Sequence, residues 1–167
     1  RAERWVEDHF VFIGPDAESD DDADISWLIE RAEAAVIRHG ARCIVIDPWN
    51  EVDHLRRREE SQTEYVGRAI RQLKRFANSY NVLVVIVAHP TKSAREKGPD
   101  QLSLYDISDS AHFANKADIG VIIARQGNLE TDTLTSVLVK KIRFQPDMGK
   151  PGDKDLDFDP VLRLFIQ

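Results

Sequence analysis

One segment constrains the fold of this chain more than any other. Residues 82–88, with the sequence VLVVIVA, are apolar throughout, which is typical of a strand covered by helices on both faces of a parallel sheet. A shorter apolar run, 43–46, precedes it, and residues 118–124 (DIGVIIA) form a third, largely apolar run. Apolar residues also recur at helical spacing over 25–36 and over 66–80. This alternation predicts an α/β fold with a mainly parallel sheet flanked by helices.

Shorter segments complete the predicted fold. Residues 9–13 (HFVFI) predict a short strand, and residues 134–144 predict a long one. Residues 156–166 predict a terminal hairpin, so antiparallel strands are expected at the C-terminal end of the fold. The first long helix has suitable caps, with an aspartate at 22 or 24 before it and Gly40 after it.

The composition excludes several classes of protein. The 167 residues are 42% hydrophobic and 31% charged, which suits a folded domain with its own core rather than a disordered chain. No apolar run approaches the ~18 residues of a membrane span, and the single cysteine excludes a disulfide framework, so we expect a cytoplasmic protein without a membrane partner. No repeat or long linker divides residues 1–167, which are expected to form a single domain.

The net charge of −6 is unevenly distributed along the chain. Six carboxylates fall within residues 16–24, and residues 153–159 hold four aspartates and one lysine. These two clusters account for more than the whole net charge, so the rest of the chain is slightly basic. The acidic balance therefore does not exclude a nucleic-acid partner.

Each of the three apolar runs is followed by one polar residue, respectively Asp47, His89 and Arg125. In open parallel sheets, ligands bind beyond the carboxyl ends of the strands. Asp47 suits the carboxylate that orders a water on nucleotide-bound Mg²⁺, or it caps the following turn. His89 suits a contact to a terminal phosphate, or it bonds to backbone at the strand end. The histidines and Cys43 show no spacing typical of metal ligands.

Basic residues form further candidate sites. Lys141 and Arg143 lie two apart on one predicted strand and therefore share a face. They suit an arginine finger that reaches a neighbour's γ-phosphate, or a solvated edge strand protected by charge. The loop 90–98 carries three cations against one anion and suits phosphate contacts, or it is simply solvated. The run 56–60 (RRREE) is interpreted as a mixed, solvated surface.

The sequence lacks a phosphate-binding loop of the GxxxxGK[ST] type. The Gly-Lys pair at 149–150 is followed by Pro151 and does not fit this motif. Because such a loop holds the β- and γ-phosphates, we expect the isolated chain to be inactive as an NTPase. A serine-hydrolase interpretation has little support, since no GxSxG motif occurs.

Five segments between about residue 42 and residue 149 resemble the RecA-like ATPase domain of DnaB/Twinkle-type ring helicases, in particular phage and bacterial primase–helicases. They are IVIDPWNEVDHLR, TEYVGRAIRQLKRFA, VLVVIVAHPTK, LYDISDSAHFANKADIGVIIAR and VKKIRFQPDMG. The stretches DISxSAHFANKAD and AHPTK are more specific than an apolar run ending in aspartate. The resemblance implies an incomplete RecA-like P-loop NTPase core from an ATP-dependent replicative DNA helicase.

The resemblance also implies roles for the candidate residues. Asp47 would be the Walker B residue that holds Mg²⁺ through water, and His89 would sense the γ-phosphate. Arg125 would lie near the subunit interface, and Lys141 and Arg143 would reach the neighbouring subunit's nucleotide. The candidates for contacts to single-stranded DNA are Lys92, Arg95, Lys97 and Asn115. The implied cofactors are ATP, or another NTP, with Mg²⁺, and the implied assembly of the full-length protein is a homo-hexameric ring.

The chain departs from the family pattern in two ways. Asp109 occupies the position where the motif DISGSAH has glycine, and it is expected to weaken DNA contacts or to stiffen the loop. The P-loop and the catalytic glutamate of the family lie upstream of the matching part, so residues 1–167 are expected to be a partial domain, monomeric in isolation. The alternative function is a RecA-like nucleic-acid-binding or assembly module without motor activity.

Overall fold

The computed structural model describes residues 2–15, 23–52, 54–107, 111–125, 127 and 132–166. Contacts within the chain divide it into two compact units, Arg1–His89 and Pro90–Gln167. Each unit has its own small sheet with associated helices. In the described part of the chain, no helix combines the length and the apolar character needed to cross a membrane.

The first unit is built on a parallel pair of strands. Its elements are α1 (Ala2–His9), α2 (Ile25–His39), β1 (Cys43–Ile46), α3 (Gln62–Tyr80) and β2 (Leu83–Ile86). Strands β1 and β2 run parallel, and Ile46 at the end of β1 is in register with Ile86 at the end of β2. Because α3 connects the two strands, this part of the chain is the βαβ unit that the sequence predicts.

Local sequence signals account for the limits of both long helices. Helix α2 begins after Asp24, whose carboxylate accepts a hydrogen bond from the backbone N–H of Trp27 at 2.8 Å, and it ends at Gly40, where φ is +68°. Helix α3 begins with a capping box in which Ser61 and Glu64 each accept from the other's backbone N–H. The predicted caps at 24 and 40 are therefore confirmed.

The core of the first unit lies along the apolar side of α3, which packs against α2 and β2. This side repeats every three or four residues, as an amphipathic helix requires. Burying each large apolar side chain contributes about 1.5–3 kcal/mol. The buried apolar residues of the unit are Ile25, Ala32, Ala35, Ile46, Trp49, Val52, Tyr65, Val66, Ala69, Ile70, Leu73 and Phe76.

Two expectations about the first unit are wrong. The predicted strand at 9–13 is absent, because α1 continues to His9 and residues 10–15 have no regular secondary structure. Local contacts favour the helix: the ring of Trp5 stacks on His9 with centroids 4.6 Å apart, and the N–H of Phe10 donates to the carbonyl of Val6. Strand β2 is not covered on both faces, since Leu83 is 58% exposed and burial alternates along the strand.

The second unit is an antiparallel sheet with one short helix. Its elements are α4 (His112–Lys116), β3 (Ile119–Arg125), β4 (Leu134–Ile142), β5 (Gly152–Asp159) and β6 (Leu164–Ile166). The strands are hydrogen-bonded in the order β3-β4-β5-β6. The predicted long strand and the predicted terminal hairpin are confirmed as β4 and as β5 with β6.

Strand β3 differs from its prediction in burial and in pairing. It pairs antiparallel with β4, and Ile123 on its exposed face is 71% accessible, so it is not buried on both sides. A short connection to β4 permits this antiparallel pairing, whereas a parallel partner requires a long crossover. Among the described residues, the parallel part is limited to β1 and β2. The α/β class itself is confirmed.

The predicted loop at 90–98 and the residues that follow it are folded into short 3₁₀ turns, Lys92–Glu96, Pro99–Gln101 and Leu104–Asp106. An isolated bridge between Pro90 and Ile107 closes this segment at its two ends. The loop therefore has a defined backbone, although it has no long helix or strand.

Candidate functional site

The parallel pair brings Asp47 and His89 to the same edge of the first sheet. Asp47 directly follows β1, whereas His89 lies three residues beyond the end of β2, and the two strand ends are in register at Ile46 and Ile86. The backbone continues the pairing beyond the strands, since the N–H of Val87 donates to the carbonyl of Ile46 at 2.9 Å. Both Asp47 and His89 are exposed there. The predicted placement of these side chains at one strand edge is thus present in the first unit.

Asn50 connects the two strand ends and was not among the predicted site residues. Its Oδ1 accepts a hydrogen bond from the backbone N–H of His89 at 3.3 Å. The sequence offers only a weak signal for this contact, an amide side chain three residues after Asp47. Its effect is to fix the loop after β1 to the backbone of His89, three residues beyond β2.

A buried aromatic cluster anchors the same loop. Trp49 is 1% exposed, and its ring lies 5.2 Å from that of His54 and 6.4 Å from that of Tyr65. His54 Nδ1 and the hydroxyl of Tyr65 are 3.3 Å apart, within hydrogen-bond distance. Because Tyr65 belongs to α3, this cluster holds the loop that carries Asp47 and Asn50 on the helix.

The donor set around Asp47 suits a magnesium ion that is held mainly by water and phosphate. In the described ranges, no three potential metal ligands cluster together. Mg²⁺ usually takes one or two carboxylates from the protein and completes its shell with waters and substrate phosphates. The single exposed carboxylate of Asp47 at a strand end fits this type of magnesium site. It does not fit a site in which protein side chains supply all the metal ligands.

In the second unit, the basic pair at the end of β4, Lys141 in the strand and Arg143 just after it, contacts the carboxyl end of α4. Lys141 Nζ donates to the carbonyls of Ala114 and Asn115 at 2.6 and 3.1 Å. Arg143 Nη2 donates to the carbonyls of Asn115 and Lys116 at 2.9 and 3.2 Å. The two side chains thus share one side of the sheet, as their spacing predicts. Their acceptors are backbone carbonyls at the carboxyl end of a helix, where the partial negative charge favours cations.

Arg143 and Arg125 have further partners within the second unit. Arg143 Nη1 lies 3.0 Å from a carboxylate oxygen of Asp118. Arg125 ends β3, and its Nη2 donates to the carbonyl of Asp132 at 2.9 Å, across the connection to β4. The sequence did not predict either acceptor, because Asp118 is distant from Arg143 along the chain and the carbonyl of Asp132 leaves no trace in a residue pattern.

The predicted DNA-contacting residues differ in their surroundings. Lys92 is exposed in the first 3₁₀ turn, whereas Lys97 Nζ lies 2.5 Å from the carboxylate of Asp106. The Lys97 ammonium, together with hydrogen bonds from Ser103, holds the pKa of Asp106 below its usual value. Asn115 Oδ1 accepts from the hydroxyl of Tyr105 at 3.1 Å.

Two residues of the predicted DNA site, Arg95 and Asp109, are not fully described by the structure. Arg95 lies within the 3₁₀ turn Lys92–Glu96, and only its backbone is described. Asp109, the departure from the family motif, lies outside the described residues.

Comparison with known families decides what kind of domain this is. The AAA domain family matches residues 3–95, more than half of the chain. The chain belongs to this family. It is 40% identical over 158 residues to the Twinkle homolog protein, chloroplastic/mitochondrial, of Arabidopsis thaliana, a match that covers 93% of the chain. It is also 30% identical over 131 residues, 72% of the chain, to the DNA helicase/primase of Enterobacteria phage T3. The chain covers 22% of the length of each of these relatives.

A solved structure supports the same fold. The structure of a DnaB-like replicative helicase, described with its interactions with primase, matches with a TM-score of 0.71 at 19% sequence identity. The match covers 86% of this chain and 35% of the solved one. At this identity the likeness concerns the fold. Together with the sequence relatives, it confirms the predicted DnaB/Twinkle-type RecA-like domain.

Proposed function

We propose that this chain is part of the ATPase domain of an NTP-dependent DNA helicase. The observation that carries the proposal is the placement of Asp47 and His89 at one edge of the parallel pair, where α/β folds bind ligands. The 40% identity to a Twinkle homolog supports the same conclusion.

In this proposal the first unit supplies residues toward the nucleotide. Asp47 holds a water on Mg²⁺, and His89 contacts the terminal phosphate, with its backbone fixed by Asn50. When bound, Mg²⁺ would neutralise part of the charge on the phosphates. Trp49 has a positioning role, because it fastens the loop that carries Asp47 to α3.

The second unit supplies basic residues toward a neighbouring subunit and toward DNA. Arg125, Lys141 and Arg143 are the candidates for the neighbour's nucleotide in a hexameric ring. Lys92, Arg95, Lys97 and Asn115 are the candidates for single-stranded DNA. Lys92 and Asn115 are exposed, which supports this assignment for them. Lys97 would have to break its ion pair with Asp106 before it could contact a DNA phosphate.

A longer chain that adds the family's preceding P-loop region tests the proposal. It should hydrolyse ATP with stimulation by single-stranded DNA, and Asp47→Asn should abolish hydrolysis because the metal-ordering carboxylate is lost. Asp8→Asn, at an exposed position of α1, is the matched control and should retain activity. The isolated 167-residue chain should not hydrolyse ATP, since it has no GxxxxGK[ST] motif. An inactive longer chain, or one unaffected by Asp47→Asn, contradicts the proposal.

The second candidate function is a nucleic-acid-binding or assembly module without motor activity. The contacts of Lys141 and Arg143 with the end of α4 favour it, because they give this basic pair an acceptor within its own unit. DNA binding by the longer chain without any NTP hydrolysis would support this candidate over the helicase.

A further inference from the structure

Four arginines line one open hollow on the surface of the first unit. The hollow has a volume of about 280 Å³, and the residues around it are Arg57, Arg68, Arg71, Gln72 and Arg75. We propose that this arginine hollow is a binding site for the phosphate group of a ligand. It is separate from the strand edge that carries Asp47 and His89, and it does not depend on the helicase proposal.

Helix geometry explains why the arginines converge. Arg68, Arg71 and Arg75 are spaced three and four residues apart on α3, so they share one helix face. They span about 10 Å along the helix axis at 1.5 Å per residue. Arg57 joins them from the loop before α3, where its backbone N–H donates to Glu60 Oε2 at 3.0 Å. The sequence predicted that residues 56–60 form a mixed, solvated surface. It did not predict that Arg57 lies next to the arginines of α3.

One carboxylate balances one of these charges. Glu60 holds Arg68 through two hydrogen bonds, at 2.8 and 2.9 Å, and the Arg68 guanidinium lies 5.1 Å from the ring centre of Tyr65. This bidentate ion pair orients the Arg68 side chain and neutralises its positive charge. Glu60 also interacts electrostatically with Arg57. Within the described ranges, no ion pair or hydrogen bond joins the side chains of Arg71 and Arg75 to a carboxylate, so four arginines surround the hollow with Glu60 as their close counter-ion.

The excess of positive charge around the hollow favours a phosphate over other anions. A phosphate group carries up to two negative charges near neutral pH and offers three acceptor oxygens, so several guanidinium groups can bind it together. A carboxylate suits a single bidentate arginine, as Glu60 already shows. The lining contains no aromatic or apolar side chain. We therefore infer recognition of the phosphate itself, from a free phosphate compound or from a nucleic-acid backbone.

Calorimetric titration of the full 167-residue chain tests the site, with inorganic pyrophosphate and a short oligothymidylate as separate probes. Arg71→Gln with Arg75→Gln should lower affinity by at least about tenfold for each guanidinium lost. Arg4→Gln with Arg38→Gln removes the same charge from exposed positions of α1 and α2, and should leave affinity within about threefold. Pyrophosphate should also shift the backbone amide resonances of residues 57 and 68–75.

Each outcome bears on the site directly. Loss of pyrophosphate binding in the Arg71/Arg75 variant supports it with a small phosphate as the ligand. Loss confined to the oligothymidylate supports it with the nucleic-acid backbone as the source. Equal behaviour of the two double variants toward both probes overturns it. Arg71→Lys with Arg75→Lys keeps the charge, so an intermediate loss is expected from the missing bidentate geometry, even if the glutamine variant is unstable.

Discussion

The contact between Lys141 and the carboxyl end of α4 gives a sharp test of how the second unit is held together. Lys141 is half-buried, and its ammonium donates to two helix carbonyls, at 2.6 and 3.1 Å. Lys141→Met keeps most of the apolar stem and removes only the donor. The carbonyls of Ala114 and Asn115 then lose a cationic partner in a partly buried position.

The expected cost follows from the type of bond that is lost. Hydrogen bonds from a charged group contribute about 1.5–3 kcal/mol, and a cation at a helix end contributes about 0.3–1 kcal/mol. Arg143 still donates to the carbonyls of Asn115 and Lys116, which limits the loss. We expect α4 to be destabilised by about 2 kcal/mol, which corresponds to opening that is about 30 times more frequent.

Amide hydrogen exchange measures this opening where it occurs. The N–H groups of Asn115 and Ala117 donate to the carbonyls of Ala111 and Phe113, which closes the turns of α4 at its two caps, and both should exchange about 30 times faster in the variant. Lys140→Met is the matched control, since the ammonium of this neighbouring residue forms a partly exposed ion pair with Asp153 at 3.9 Å. Equal exchange in the two variants would refute the role of Lys141 in holding α4.

Two further predictions concern the first unit. Leu73 is 3% exposed on the buried side of α3, so Leu73→Ala should lower the free energy of unfolding by about 2–5 kcal/mol in urea titrations; a loss below about 1 kcal/mol would contradict its place in the core. Hydrogen bonds from Arg68 lower the pKa of Glu60 from 4.5 to about 2. Its carboxylate therefore favours the folded state above pH 4.5, and this contribution is lost as the pH falls toward 2. Glu60→Gln should flatten the stability profile across that window, whereas Glu59→Gln should leave it unchanged.

The parts of the fold that local signals determine could be predicted from the sequence. The caps at Asp24 and Gly40 act through neighbouring backbone groups, and the apolar side of α3 repeats within one helix. Strand pairing depends on contacts between distant residues and was predicted less well. Strand β3 was correctly located, but its antiparallel partner β4 could not be deduced from an apolar run that suits either type of sheet. At 9–13, contacts between aromatic side chains and α1 outweighed a pattern typical of a strand.

The candidate site shows the same division. The placement of Asp47 and His89 at one end of the parallel pair could be predicted, because each follows an apolar run whose strand direction is fixed by the βαβ order. Asn50 could not, because its contact with the His89 backbone joins residues 39 positions apart. The spacing of Lys141 and Arg143 placed them on one side of the strand, but their acceptors are backbone carbonyls of α4, which any sequence would provide.

These acceptors connect the two proposed activities of the second unit. On the proposed function, Lys141 and Arg143 bind a neighbouring subunit's nucleotide, and Asn115 on α4 contacts DNA. The structure engages both cations with the carbonyl end of that same helix. If Lys141 or Arg143 leaves α4 to bind a phosphate, the helix loses a stabilising hydrogen bond. Conversely, DNA that stabilises α4 strengthens the contact of these cations with the helix. Because such coupling is reciprocal, nucleotide binding and DNA binding at these residues should change each other's affinity by the same factor.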